Sequence, residues 1–231
     1  MTTEEFLRRL DAIVTDRHML QHPFYIMWNE GALTIDMLRE YAKEYYHQVA
    51  AFPTYVSATH SNCDDIEIRQ MLLENLMEEE HGPNNHPELW LRFAEGLGVK
   101  REEIAGRRFL PHTRASVSIL KELARRDNPS EGIAALYAYE SQIPEISTTK
   151  IEGLKKWYGV DASQALEFFA VHEHADEIHR IVTREALAKM CLSDEQKQTA
   201  LDAAREAADA FNLLLDGVYT TWCSTDKVSM N

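Results

Sequence analysis

The chain is poor in the residues that interrupt regular structure, with 9 Gly and 7 Pro in 231 positions. Apolar residues recur every three or four positions rather than every second one, so strands have little place to sit and a nearly all-helical chain is expected. Cysteine is scarce as well. Cys63, Cys191 and Cys223 are odd in number and lack C-x-x-C spacing, which argues against a disulfide framework or a thiolate zinc site and leaves three reduced thiols. No run approaches the ~20 consecutive apolar residues of a membrane helix, and the opening MTTEEFLRRLDA lacks the basic-then-apolar order of a secretion signal. A cytoplasmic location without a membrane partner is therefore expected. Positive charge is in deficit: 24 Lys and Arg face 38 Asp and Glu, and the resulting formal charge of −14 argues against a nucleic-acid partner.

What is present is a 45% hydrophobic chain with no Ser- or Gly-rich linker and no solenoid-length repeat, which implies one packed core. The expectation is an all-α single bundle of seven to eight helices over 1–223, with 224–231 as a flexible tail. Thr2 and Glu5 have capping-box spacing for a first helix to about Asp16, and His22-Pro23 interrupts before an aromatic segment that ends at Gly31. Thr34 caps a long helix to about His60, kinked at Pro53, and Asp64-Asp65 opens the next. Gly82-Pro83 breaks that helix, His86-Pro87 starts another, and a looser stretch runs to Pro111. Helices follow at about 112–126, 130–143 and 145–158. Asp161 or Ser163 is expected to cap the helix bearing His172, and Ser193-x-x-Gln196 opens a last helix to about Trp222.

Ten histidines beside the carboxylate excess favour a metal site of nitrogen and oxygen donors. At ~100° per residue, Asp176 lies roughly 40° from His172 and His179 roughly 20° to the other side, so imidazole, carboxylate and imidazole form one stripe. Such a set suits iron or manganese. The alternative is a solvated polar face. In the run Glu78-Glu79-Glu80-His81-Gly82-Pro83-Asn84-Asn85-His86, an unbroken helix would place Glu79 and His86 ~10 Å apart, so both can ligate only in a dinuclear site or through the break. Glu78 with His81 is the competing i, i+3 pair. Glu140 ends the apolar run Ala134-Ala135-Leu136-Tyr137-Ala138-Tyr139 with no cation nearby before Lys150, and a metal would resolve that burial. A rotated helix would instead leave it at the rim. Taken together, Glu79, His86, Glu140, His172, Asp176 and His179 supply three carboxylates against two divalent ions, a net +1 that leaves room for dioxygen. Oxidase or oxygenase chemistry fits best; two-metal hydrolysis lacks an evident general base.

The runs HPFYIMW, YAKEYY, AFPTYVSATHSNCDD, EEEHGPNNHPELW, ALYAYESQIP and HEHADEIH closely resemble the family of the chlamydial protein associating with death domains, within the haem-oxygenase-like dinuclear metal oxidases. Pyrroloquinoline quinone synthase C and the thiaminase-like TenA proteins belong to the broader group. The resemblance implies that the same six residues are the ligands of an Fe/Fe or Fe/Mn pair, with dioxygen as co-substrate and an external reductant. It also implies synthesis of p-aminobenzoate for folate by sacrifice of Tyr25, with Lys150 as amine source and Tyr41 and Tyr139 in the pocket. Departures fall at 105–130, with Gly106-Arg107-Arg108-Phe109 and His112, and after Val218. Rival readings are a quinone-synthase-like oxidase of an exogenous small molecule and an interaction module of the death-domain-binding type. A thiaminase would need a nucleophile such as Cys63, whose context does not suit it, and a haem would be crowded by the carboxylates. A homodimer is plausible for such bundles.

Overall fold

The computed structural model describes residues 1–224, apart from the side chains of His174, Ala175 and Glu177. All of the expected tail but Ser224 lies outside the described residues. Within them are α1 (Thr3–Asp16), α2 (Pro23–Glu30), α3 (Ile35–Asn62), α4 (Ile66–Glu80), α5 (His86–Gly96), α6 (Arg101–Ala105), α7 (Pro111–Leu123), α8 (Pro129–Glu140), α9 (Ile143–Trp157), α10 (Ser163–Met190) and α11 (Asp194–Val218). Eight of these have twelve or more residues; α2, α5 and α6 are shorter, and the eleven together exceed the seven to eight expected. The stretch before Pro111 is therefore more ordered than its composition suggested, since α6 forms there.

Local chemistry accounts for most boundaries. Thr2 accepts a hydrogen bond from the Glu5 amide, Thr34 from that of Met37, and Ser193 from that of Gln196. His22 caps α2 through its ring nitrogen, and α2 ends at Gly31, whose φ of 69° is the left-handed conformation glycine adopts most easily. Three boundaries differ from expectation. Neither Asp161 nor Ser163 caps α10: the N-cap is Ala162, without a side-chain bond. The α8–α9 break falls at Ser141-Gln142, because Pro144 sits in the first turn of α9, where a missing amide costs nothing. The last helix stops at Val218 and passes into a π-turn over Tyr219–Cys223.

Every residue of α8 from Ser130 to Glu140 is buried, so this helix is the central post of the bundle. α11, α10 and α3 pack against it, α9 and α5 pack on α10, and α4 and α7 on α3. Trp28, Trp90, Phe93, Phe169 and Phe211 fill the interior at 2% exposure or less; each such side chain contributes roughly 1.5–3 kcal/mol through burial. The packing brings the C-terminal ends of α4 and α8, the start of α5 and the middle of α10 to one place.

Candidate metal centre

Glu79 lies one residue from the end of α4 and His86 is the first residue of α5. The reversal between them depends on Gly82, at φ 80°, and on Asn85, which accepts from the Glu88 amide and donates to the Gly82 carbonyl. As a result His86 Nδ1 stands 2.8 Å from Glu79 Oε2. The break, rather than a second ion, lets these two act together. With His172 of α10 they form one group whose donor atoms all lie within 4.8 Å of one another. Glu140, Asp176 and His179 form a second group of the same kind.

The single stripe read from α10 is thus divided, His172 going to one group and Asp176 and His179 to the other. The reason is helical rise: seven residues at 1.5 Å separate His172 from His179 by about 10 Å. Glu140 is 1% exposed, which removes the rotated-helix alternative. The competing pair does not assemble, since His81 is exposed and Glu78 is half exposed with Oε2 3.3 Å from His179 Nε2.

The donors are prepared for cations. Among the described residues Glu140 Oε2 and Asp176 Oδ2 are buried without a hydrogen-bond partner, although groups at such depth normally have one. The His172 Nδ1 position faces the Phe168 carbonyl oxygen, which fixes the tautomer and leaves Nε2 available. Burial, and then charge on His86, hold His172 well below the ordinary imidazole range, so it is neutral, the ligand form. Burial also pulls His86 down, but the Glu79 carboxylate outweighs it and leaves the imidazole raised. Asp176 is raised, chiefly by burial, while His179 is raised because its bonds to Asp176 and Glu140 overcome its own desolvation. A proton on His179 occupies the electrostatic role that a metal cation would take. Mixed imidazole and carboxylate donors in two adjacent sets suit iron-type ions, and the residues present fit them.

Beside these groups lies an aromatic chamber. Lys150, on α9, is 3% exposed and is found in no ion pair among the described residues. Its Nζ sits 5.6 Å from the ring centroid of Tyr25, 5.4 Å from Tyr41, and 5.1 Å from Tyr45 and from Phe169. Burial pushes it down to about 7, because ring faces worth ~0.5–2 kcal/mol each do not replace an ammonium's hydration. Gly153, one turn away, permits this placement: a Cβ there would meet Trp28 Nε1 at 2.5 Å. Tyr25 and Tyr41 share a hydroxyl contact of 3.4 Å, and Tyr45 and Tyr139 one of 3.2 Å. Burial raises both Tyr25 and Tyr139 well above the usual phenol range, and the nearby Asp176 and Glu79 charges add to it for Tyr139. Tyr139 precedes the donor Glu140 on α8, while Tyr25 pairs with Tyr41. The sequence did not single out Tyr45, which links the tyrosines, or Asn75, whose Nδ2 donates to Glu140 Oε1 at 2.6 Å. Their helical periodicity marks them only as inward-facing.

Among the described residues no helix is long and apolar enough to cross a membrane. A family model described as iron-containing redox enzyme matches residues 39–212. A 4-aminobenzoate synthase from Nitrosomonas europaea is 41% identical, over 97% of this chain and 95% of the relative. One from Chlamydia trachomatis is 42% identical, over 91% and 90%. Among solved structures, a TenA homologue from Pseudomonas syringae superposes with a TM-score of 0.80 at 16% identity, covering 94% of this chain and 92% of its own. The matched span holds all six donors as well as Lys150, and the chain belongs to the haem-oxygenase-like family of iron-containing redox enzymes.

Proposed function

We propose that this protein is a dioxygen-dependent 4-aminobenzoate synthase that consumes its own Tyr25, with Lys150 as the source of the amine. The observation that carries the reading is Lys150 itself, a buried amine without a counter-ion, pushed down to about 7 and set against the ring of Tyr25. The relatives from Nitrosomonas and Chlamydia bear that enzyme's name.

Glu79, His86 and His172 would hold one ion of an Fe/Fe or Fe/Mn pair, and Glu140, Asp176 and His179 the other. When bound, the pair supplies the redox chemistry that couples dioxygen and an external reductant to oxidation of a phenol. The chain's own residues set the conditions. Tyr25, fully buried, keeps its hydroxyl proton at ordinary pH and shares it with Tyr41. Its ring and Cβ already carry the para arrangement of 4-aminobenzoate, so the conversion joins the Lys150 nitrogen to the ring as the hydroxyl oxygen leaves as water, breaks the Lys150 Cε–Nζ bond with Cε left as an aldehyde, and breaks Cα–Cβ with Cβ oxidised to a carboxylate, dioxygen being the electron acceptor. Lys150 is partly uncharged near neutrality, and only a neutral amine has a lone pair to form the new C–N bond. The surrounding Trp90 and Phe169 exclude water from that amine.

Protein grown with ring-labelled tyrosine and amine-labelled lysine, then supplied with iron, manganese, reductant and dioxygen, is expected to release doubly labelled 4-aminobenzoate. Tyr25→Phe should retain its metal and release none. Product formed by that variant from an added small molecule would replace this reading with an oxidase of exogenous substrates.

A further inference from the structure

A cavity of about 440 Å³ between α4 and α10 connects the surface to Asn75 and His179. Glu74, Glu78 and Glu185 on its walls are exposed, and none has a Lys or Arg partner among the described residues. Lys189, the cation on the wall, is held by Asp65 at 3.0 Å and Glu67 at 2.7 Å. At the inner end Asn75 is 3% exposed; its Nδ2 is committed to Glu140, and its Oδ1 has no hydrogen-bond partner among the described residues. A buried amide oxygen left unsatisfied beside a solvent-connected cavity is suited to a transient ligand.

We propose that this groove is the route by which a divalent cation reaches Glu140, Asp176 and His179, drawn in by Glu74 and Glu78 and passed inward by Glu78 and the Asn75 carbonyl oxygen. Glu74 and Glu78 lie one helical turn apart, ~6 Å, so the ion meets an oxygen donor at each step as it sheds water. Glu78 already reaches His179 from the rim, which places the last handover at that imidazole. The cavity on the other side of α10 could not serve. It carries Arg180 and Arg184, and its carboxylates are engaged: Asp11 by Arg184 and Tyr137, Glu145 by His18 at 3.2 Å.

The inference rests on the assignment of the six donors as metal ligands, and the test separates the two. Full-length metal-free protein is mixed anaerobically with Mn(II) alone. Uptake is followed by loss of the free-ion EPR signal, and final content by elemental analysis after desalting. Wild type and the double variant Glu74→Gln/Glu78→Gln are both expected to reach two ions per chain, the variant about tenfold more slowly and with a weaker dependence on salt. Glu145→Gln, in the opposite cavity, should load at the wild-type rate. Unchanged loading by the double variant would overturn the route, and so would a final content of one ion, which would make Glu78 a ligand. Failure of wild type to take up two ions would overturn the ligand assignment and the route with it.

Discussion

The six donors at the meeting of α4, α5, α8 and α10 and the single amine of Lys150 on α9 are all at 7% exposure or less, yet their surroundings act on charge in opposite ways. In the donor cluster opposite charges face one another within hydrogen-bond reach, and the carboxylates beside His86 and His179 outweigh burial there and raise both imidazoles, while burial still raises Asp176 and holds His172 neutral. Ring faces surround Lys150 and no ion pair holds it among the described residues, so burial lowers the amine's hold on its proton. One region retains charge that metal ions can replace; the other holds an amine that is partly uncharged near neutrality. A metal-dependent amination needs both, and α10 and α9 lie against each other to supply them.

The sharpest way to break this contrast is to unbalance the donor cluster. Glu140→Gln removes a carboxylate whose Oε2 has no protein partner, and metal content is expected to fall from two ions to one. Wild type should gain about 2.7 kcal/mol per site at a hundredfold excess of metal over Kd, and the variant should lose one site's share; calorimetry with and without Mn(II) measures the difference. Retention of two ions would contradict the grouping.

A second test lies in the chamber. Lys150 has a folded value near 7 against 10.5 unfolded, so the unfolded chain binds the extra proton between those limits and stability rises with pH across that window. Lys150→Met should therefore be more stable by roughly 3–5 kcal/mol at pH 7 and below, with the gain vanishing near pH 10.5. Urea unfolding of the metal-free protein across this range would show the slope in wild type and its absence in the variant. The smallest effect should follow Gly153→Ala, where the new methyl meets Trp28. A cost of about 1–3 kcal/mol is expected, with product yield reduced as α9 shifts Lys150; unchanged yield would show that the amine's position tolerates movement.

The donors themselves were legible because their chemistry leaves a mark in the residue pattern. Glu140 is conspicuous at the end of an apolar run, and His172, Asp176 and His179 share a helical face whatever surrounds them. Lys150 was not, since a lysine on an amphipathic helix normally points to water, and only the resemblance singled it out. Tyr45 and Asn75 were hidden for a related reason. Inward-facing positions look alike in sequence, and nothing local states which of them meet.

Sequence alone determined most of the helices and their caps and narrowed the donors to a few candidates, because these depend on propensity, spacing and backbone chemistry over a few residues. Tertiary structure decided how the donors divide into two groups, that Glu79 with His86 assembles rather than Glu78 with His81, and that Lys150 lies among tyrosines. Those outcomes depend on where separate helices end and how closely they approach. Gly82 and Gly153 make two of those approaches possible, but the partners they admit lie on other helices, beyond the reach of any local pattern.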